Sequence, residues 1–408
     1  MNNQNKFKLS IPLPIILGLL AMTTSLSIDI LLPALMQISQ DFTISIEQSG
    51  KVVTAFLIGF SVGQFIFGPI TDSLGSRVIL IFGTLLFFVC NLLSVFAPTI
   101  YWLLLFRVFQ GFGAASIGVS INAYLRDRFS GNDLSRMLSL VTQVVIIAPL
   151  INPVIGGYLV VHFGWRAILW MCASFALACL LLVLISLPKT LSRVSMPLHW
   201  RAILTNYKKI IMNKYVSGYI FINSFSFAGM FAFITISANL YINDFNIPTE
   251  YFGFVYALNI IAMMLLTFIN SKYVERAGFN NMLLFGMGLQ ISSVILLLIA
   301  IMFNFSFVVI IFCIAMFLGC VPLISSNCMT GILSDLPHLA GTASALAGCI
   351  RFGISALAGL LVMSLNMSNV KAMLTVMLIC VVLMLAAYCL VKSTKLFNEK
   401  SESIRFNT

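Results

Sequence analysis

The stretch Ile11–Ile38 reads IPLPIILGLLAMTTSLSIDILLPALMQI, and its one charged side chain is Asp29. A run of this length can cross a bilayer as a helix, which needs about 20 apolar residues. An ionised carboxylate near the middle of such a helix costs about 2.5–3.5 kcal/mol on insertion scales, and a residue kept against that cost faces a polar cavity or a partner charge. Two readings of Asp29 are open: a carboxylate in a structural ion pair, or a proton-binding site in a transporter. The run exceeds the apolar core of a cleaved leader and carries an acid, so it reads as a first membrane span.

The rest of the chain is of the same kind. Of 408 residues, 60% are hydrophobic and 9% charged, against about 25% charged in a soluble domain. Mean hydropathy is +1.06. The apolar runs are too long and unbroken for the alternating strands of an outer-membrane barrel. The predicted class is all-α: a polytopic membrane protein with twelve transmembrane helices in two pseudo-symmetric six-helix bundles. The spans are expected near 12–37, 50–70, 78–96, 99–124, 136–161, 166–187, 215–241, 251–271, 281–303, 306–332, 341–365 and 371–391. This divides the chain into a first bundle (1–187), a basic linker (188–214), a second bundle (215–391) and a polar, disordered tail (392–408). The nine cysteines all fall in apolar runs, with no CxxC or Cys/His cluster. They read as small packing residues, with no disulfide framework and no metal site.

Lys and Arg placement sets the expected orientation. With both termini cytoplasmic, Lys51, Arg166 and Lys371 lie outside and Arg107 and Arg351 lie within spans; the rest of the 23 basic residues lie inside. The net charge of +11 is then a topology signal, and the linker's Lys189, Arg193, Arg201, Lys208, Lys209 and Lys214 face lipid headgroups, with no nucleic-acid partner. Six spans, a basic loop and six more spans suggest duplication. A shift of 203 residues superposes Asp72 on Glu275, Gly75 on Gly278, and Phe82-Gly83 on Phe285-Gly286. Repeats of this sort imply two bundles facing each other across a mid-membrane cavity, with transport by rocking.

Three motifs carry a resemblance. The loop Gly68-Pro-Ile-Thr-Asp72-Ser-Leu-Gly75-Ser-Arg77 resembles the G-x-x-x-D-x-x-G-R-[KR] loop of the major facilitator superfamily, with Ser73 and Ser76 where the family often has basic residues. Span four, Arg107-Val-Phe-Gln110-Gly111-Phe-Gly113-Ala114-Ala115, resembles its R-x-x-Q-G-x-G-A-A motif. Span five, Pro149-Leu-Ile-Asn152-Pro153-Val-Ile-Gly156-Gly157, resembles the G-P-x-x-G-G motif of proton-driven exporters, with Asn152 in place of the first Gly. The stretches around Ser27-Ile28-Asp29, Gly59–Gln64 and Ala340–Leu346 resemble the Bcr/CflA drug-resistance branch. The resemblance covers all twelve spans and implies proton-coupled antiport of small molecules outward across a bacterial inner membrane, by a monomer. It nominates the start of span eleven, near Gly341-Thr342, as the donor of N–H groups to an Asp72 latch.

The functional expectation is therefore a proton-driven efflux pump for amphipathic small molecules. No GxxxxGK[ST] motif is present, so the proton gradient is the expected energy source and no cofactor is implied. A specific-metabolite or siderophore exporter stays open as an alternative. A membrane-embedded enzyme or passive channel is less favoured: His162, His199 and His338 fall near membrane surfaces and no catalytic set occurs in the spans. Asp29 and Arg107 lie at equal depth from the outer ends of spans one and four, about 12 Å at 1.5 Å per residue, and are assigned proton coupling by direct or relayed pairing. Substrate contact is assigned to Gln110, Asn223, Phe227, Tyr256, Asn259 and Arg351. For Arg351, deep in span eleven without a nearby acid in sequence, three readings are open: an anion-binding group, a partner of Asp29, or a structural cation on helix carbonyls.

Overall fold

The computed structural model describes residues 13–129, 131–187, 200–336, 339–365 and 367–406. Among them every regular element is helical, as a bilayer demands of a backbone that must satisfy its own hydrogen bonds. Twelve helices are long and apolar enough to cross: Leu13–Asp41, Lys51–Thr71, Ser76–Val95, Ile100–Arg128, Arg136–Phe163, Trp165–Ser186, Lys214–Asp244, Thr249–Ala277, Phe279–Met302, Phe307–Asp335, Gly341–Ser364 and Asn369–Lys392. They are numbered spans one to twelve. Helix contacts divide them into two groups of six, joined along two seams where span two meets span eleven and span five meets span eight.

The repeat is visible in the backbone. Span two ends at Gly75 (φ 90°, ψ 139°) and span eight at Gly278 (φ 80°, ψ 152°). Both turns use a left-handed φ that suits glycine, and the two positions are the ones the 203-residue shift aligns. Within the first bundle, span two crosses span four at close range. A side chain at Gly59 would strike the Val108 carbonyl, and one at Gly111 the Phe56 carbonyl.

Span one is not the continuous helix its hydropathy suggests. Its α-helix runs Leu13–Asp29 and stops, a 3-10 turn covers Leu32–Ala34, and a second helix runs Leu35–Asp41. The cause is Pro33. It has no N–H to give to the carbonyl four residues back, and its ring crowds that carbonyl; the residue four back is Asp29. Span seven, across the interface, ends in a π-helical turn, Asn239–Asp244. That turn is tied to span twelve by Asn243 donating to Asn239 (2.6 Å), Asn239 to Asn369 (2.9 Å), and Asn369 to Asp244.

Two further elements depart from expectation. The linker contains a helix, Trp200–Met212, with Tyr207 and Ile210 buried. The last helix continues to Phe406, through the segment expected to be a disordered tail. The linker residues 188–199 and His338 lie outside the described residues.

Candidate transport cavity and buried charge network

A cavity of about 660 Å³ lies between the two bundles. It is lined from spans two, four, five, seven, ten and eleven and from the linker helix. At its mouth, on the face that carries the Gly75 turn, are Ser73, Arg126, Leu134, Tyr207 and Gly341. At its floor are Gln64, Asn223 and Arg351, each about ten residues in from that face, or about 15 Å. The Tyr207 hydroxyl donates to the Phe65 carbonyl (3.2 Å), so the linker helix forms part of the mouth.

On the opposite face, which carries Asp41, the bundles touch. The Tyr256 hydroxyl of span eight faces the Asp29 carboxyl of span one. A side chain at Gly253 would meet the backbone of Pro153 and Val154, and one at Gly157 the Thr249 carbonyl. Gly156 packs directly on the Ile30 carbonyl, which seats span five against the break in span one, while Gly157 faces span eight. Asp41 accepts from Trp165 Nε1 (2.7 Å) and pairs with Arg166 (2.7 Å), which fastens span one to the start of span six.

Asp29 is 7% exposed. Its carboxylate accepts from the Ser25 hydroxyl, one helical turn earlier, and faces Tyr256. It makes no ion pair among the described residues. Arg107 is fully buried and points elsewhere. Its Nε donates to the Val52 carbonyl (3.1 Å), Nη1 to Gln110 Oε1 (2.6 Å) and Nη2 to the Ser27 carbonyl (2.9 Å). The Phe56 ring lies under the guanidinium at 4.8 Å. Gln110 in turn donates to Asn91 Oδ1 (2.6 Å) and Ser27 Oγ (3.2 Å). This network binds spans one to four together and satisfies a buried cation with neutral acceptors.

The geometry places the expected site residues in two groups. Arg107 does not pair directly with Asp29; the link between them is relayed through the backbone of Ser27, two residues before the acid. Gln110 stands away from the cavity, because both ends of its amide are spent inside the first bundle. Tyr256 and Asn259 also stand away from it: Tyr256 faces Asp29, and Asn259, fully buried, faces the Tyr241 hydroxyl. Asn223 and Arg351 do line the cavity, and Phe227 backs the Arg351 guanidinium. Arg351 is not joined to Asp29.

In the Asp72 loop, Gly68 lines the cavity and packs on Ala345 of span eleven, where a side chain would sit 3.0 Å from Cβ. Arg77 Nη2 donates to the Leu184 carbonyl (3.4 Å). The Asp72 side chain lies outside the described residues. Asn152 is 4% exposed, with its Nδ2 unpartnered. Cavity residues the sequence reading passed over are Asn122, Arg126, Asn206 and Tyr207. Gly118, Asn122 and Arg126 recur every four residues along span four, a polar stripe that helix geometry places on one face.

The sequence profile of the Major Facilitator Superfamily matches residues 17–360. A bicyclomycin resistance protein homolog of Haemophilus influenzae is 35% identical over 381 residues, which is 93% of this chain and 96% of that protein. The multidrug resistance protein MdtM of Escherichia coli is 23% identical over 64% of each chain. Among solved structures, the nucleoside transporter NupG superposes with a TM-score of 0.72 at 13% identity, over 93% of this chain and 98% of its own. That last likeness is one of fold.

Proposed function

The chain belongs to the Major Facilitator Superfamily, in its Bcr/CflA drug-resistance branch, and on that premise we propose that it exports amphipathic small molecules in exchange for protons. It is a multi-pass bacterial membrane protein and a transporter. The finer reading places it in the inner membrane as a monomer with both termini cytoplasmic, so that the Gly75 face is cytoplasmic and the Asp41 face external. Residues 1–187 and 215–391 are then the two rocking bundles, joined by 188–214.

The observation that carries the reading is the position of Asp29. It is a buried carboxyl on one bundle, facing a hydroxyl from the other, on the sealed side of a cavity that opens to the opposite face. Rocking to the outward-open arrangement separates Asp29 from Tyr256 and opens the acid to protons from outside. Closure of the outer seal cuts that route, the proton leaves inward, and the cavity reopens to cargo. The break that Pro33 makes at Asp29 lets this part of span one move as the bundles rock. Arg107 acts on Asp29 indirectly, by fixing the helix that presents it. Asp72 is assigned a latch on span eleven in the outward-open arrangement. No cofactor enters the cycle.

Everted vesicles loaded with a pH-gradient dye test this directly. Asp29→Asn should abolish substrate-induced proton release while the protein inserts and melts normally. Proton release retained in that variant would remove Asp29 from the coupling step.

A further inference from the structure

On the reading that this cavity carries cargo outward, we propose that its preferred cargo is an amphipathic organic anion whose carboxylate is held by Arg351. The guanidinium stands at the cavity floor. Among the described residues its one hydrogen bond is a long contact from Nη1 to the neutral Ser325 hydroxyl, at 3.4 Å, and Nε has no acceptor. Among the described residues no carboxylate lies within ion-pair distance and no backbone carbonyl accepts from it, so neither the Asp29 pairing nor a carbonyl-bonded structural role is met.

Phe227 and Phe352 instead hold the group by its faces, with ring centres 4.7 and 4.9 Å from the guanidinium carbon. Stacking of this sort orients the plane and leaves its N–H edge free. A guanidinium carries five donors in a fixed fork, which a planar carboxylate fills two at a time. Arg351 is the charged group among the described residues of the floor, so the floor favours anions and disfavours lipophilic cations. Leu134, Leu138, Ile203, Met329 and Leu333 give an apolar wall for the body of the cargo. Asn223 Oδ1, buried and unpartnered, offers an acceptor to an N–H or O–H on the same molecule. The volume fits one drug-sized compound, for which pockets run to about 300–1,000 Å³.

Three fluorescent probes with one body test the charge preference: dansylglycine (anion), dansylamide (neutral) and dansylcadaverine (cation). Their binding to the full-length protein in nanodiscs is read by fluorescence anisotropy. Dansylglycine should bind at least about tenfold tighter than dansylcadaverine, as expected where a charge-assisted pair forms. Arg351→Gln should erase that preference and leave dansylamide within about twofold of wild type, and Arg351→Lys, which keeps the charge without the fork, should recover part of it. Equal binding of all three probes by the wild type, or a preference for the cation, overturns the proposal without any variant. Equal loss of all three in a normally melting Arg351→Gln protein would make the residue structural. In proteoliposomes with an imposed pH gradient, gradient-driven movement of the probes without anion preference keeps export and removes this inference. Arg351-dependent dansylglycine binding, with no gradient-driven movement of any probe, keeps this inference and removes export.

Discussion

The hydroxyl of Tyr256 faces the carboxyl of Asp29, one residue from each bundle, at the point where the helix of span one ends. The acid thereby meets the half of the protein that moves relative to it. Tyr256→Phe keeps the ring in its packing site and removes only the hydroxyl. Proton release per cargo should fall by about tenfold, because hydrogen bonds to ionised groups are worth roughly 1.5–3 kcal/mol. Downhill counterflow of cargo in proteoliposomes should persist. If both fall together, Tyr256 is a packing residue of the seal.

Arg107 should behave differently from Asp29. Arg107→Ala removes the guanidinium donors to the Ser27 and Val52 carbonyls and to the buried Gln110 Oε1, and a buried acceptor left unsatisfied costs about 1–3 kcal/mol. The variant should melt well below wild type in detergent and reach the membrane at reduced level. Asp29→Asn should leave melting nearly unchanged. An Arg107→Ala protein of full stability that had lost only proton release would return this residue to the coupling step.

Pro33 gives a gain-of-stability prediction. Pro33→Ala restores the N–H that the Asp29 carbonyl lacks, and a proline inside a helix costs about 3 kcal/mol. Span one should then run through as one helix, raising the melting temperature while slowing transport, with Asp29 still in place. Faster turnover in the straightened variant would show that the break is not part of the cycle.

The twelve spans and the repeat were legible in the sequence because long apolar runs and turn glycines have few other meanings. The Gly75 and Gly278 turns, aligned by spacing alone, share one backbone conformation. The facing of span four was not legible. Arg107 and Gln110 belong to its inner side and Gly118, Asn122 and Arg126 to its cavity side, but a membrane helix is apolar all round and its hydropathy carries no face signal. The linker helix was readable in Ile203, Tyr207 and Ile210, spaced at one helical turn, yet its positive charge dominated the reading. The break in span one was also available, in the interval from Asp29 to Pro33. Hydropathy averages over a proline, whereas the backbone cannot.

The two phenylalanines that sandwich Arg351 have a consequence for electroneutrality. They hold the guanidinium in place without cancelling its charge, so a cavity awaiting cargo must borrow a counter-ion from the buffer. Loading is then an exchange of one anion for another, and chloride or phosphate in the medium acts as a competitor. Apparent affinities for acidic cargo should weaken as chloride is raised, while those for neutral cargo stay level.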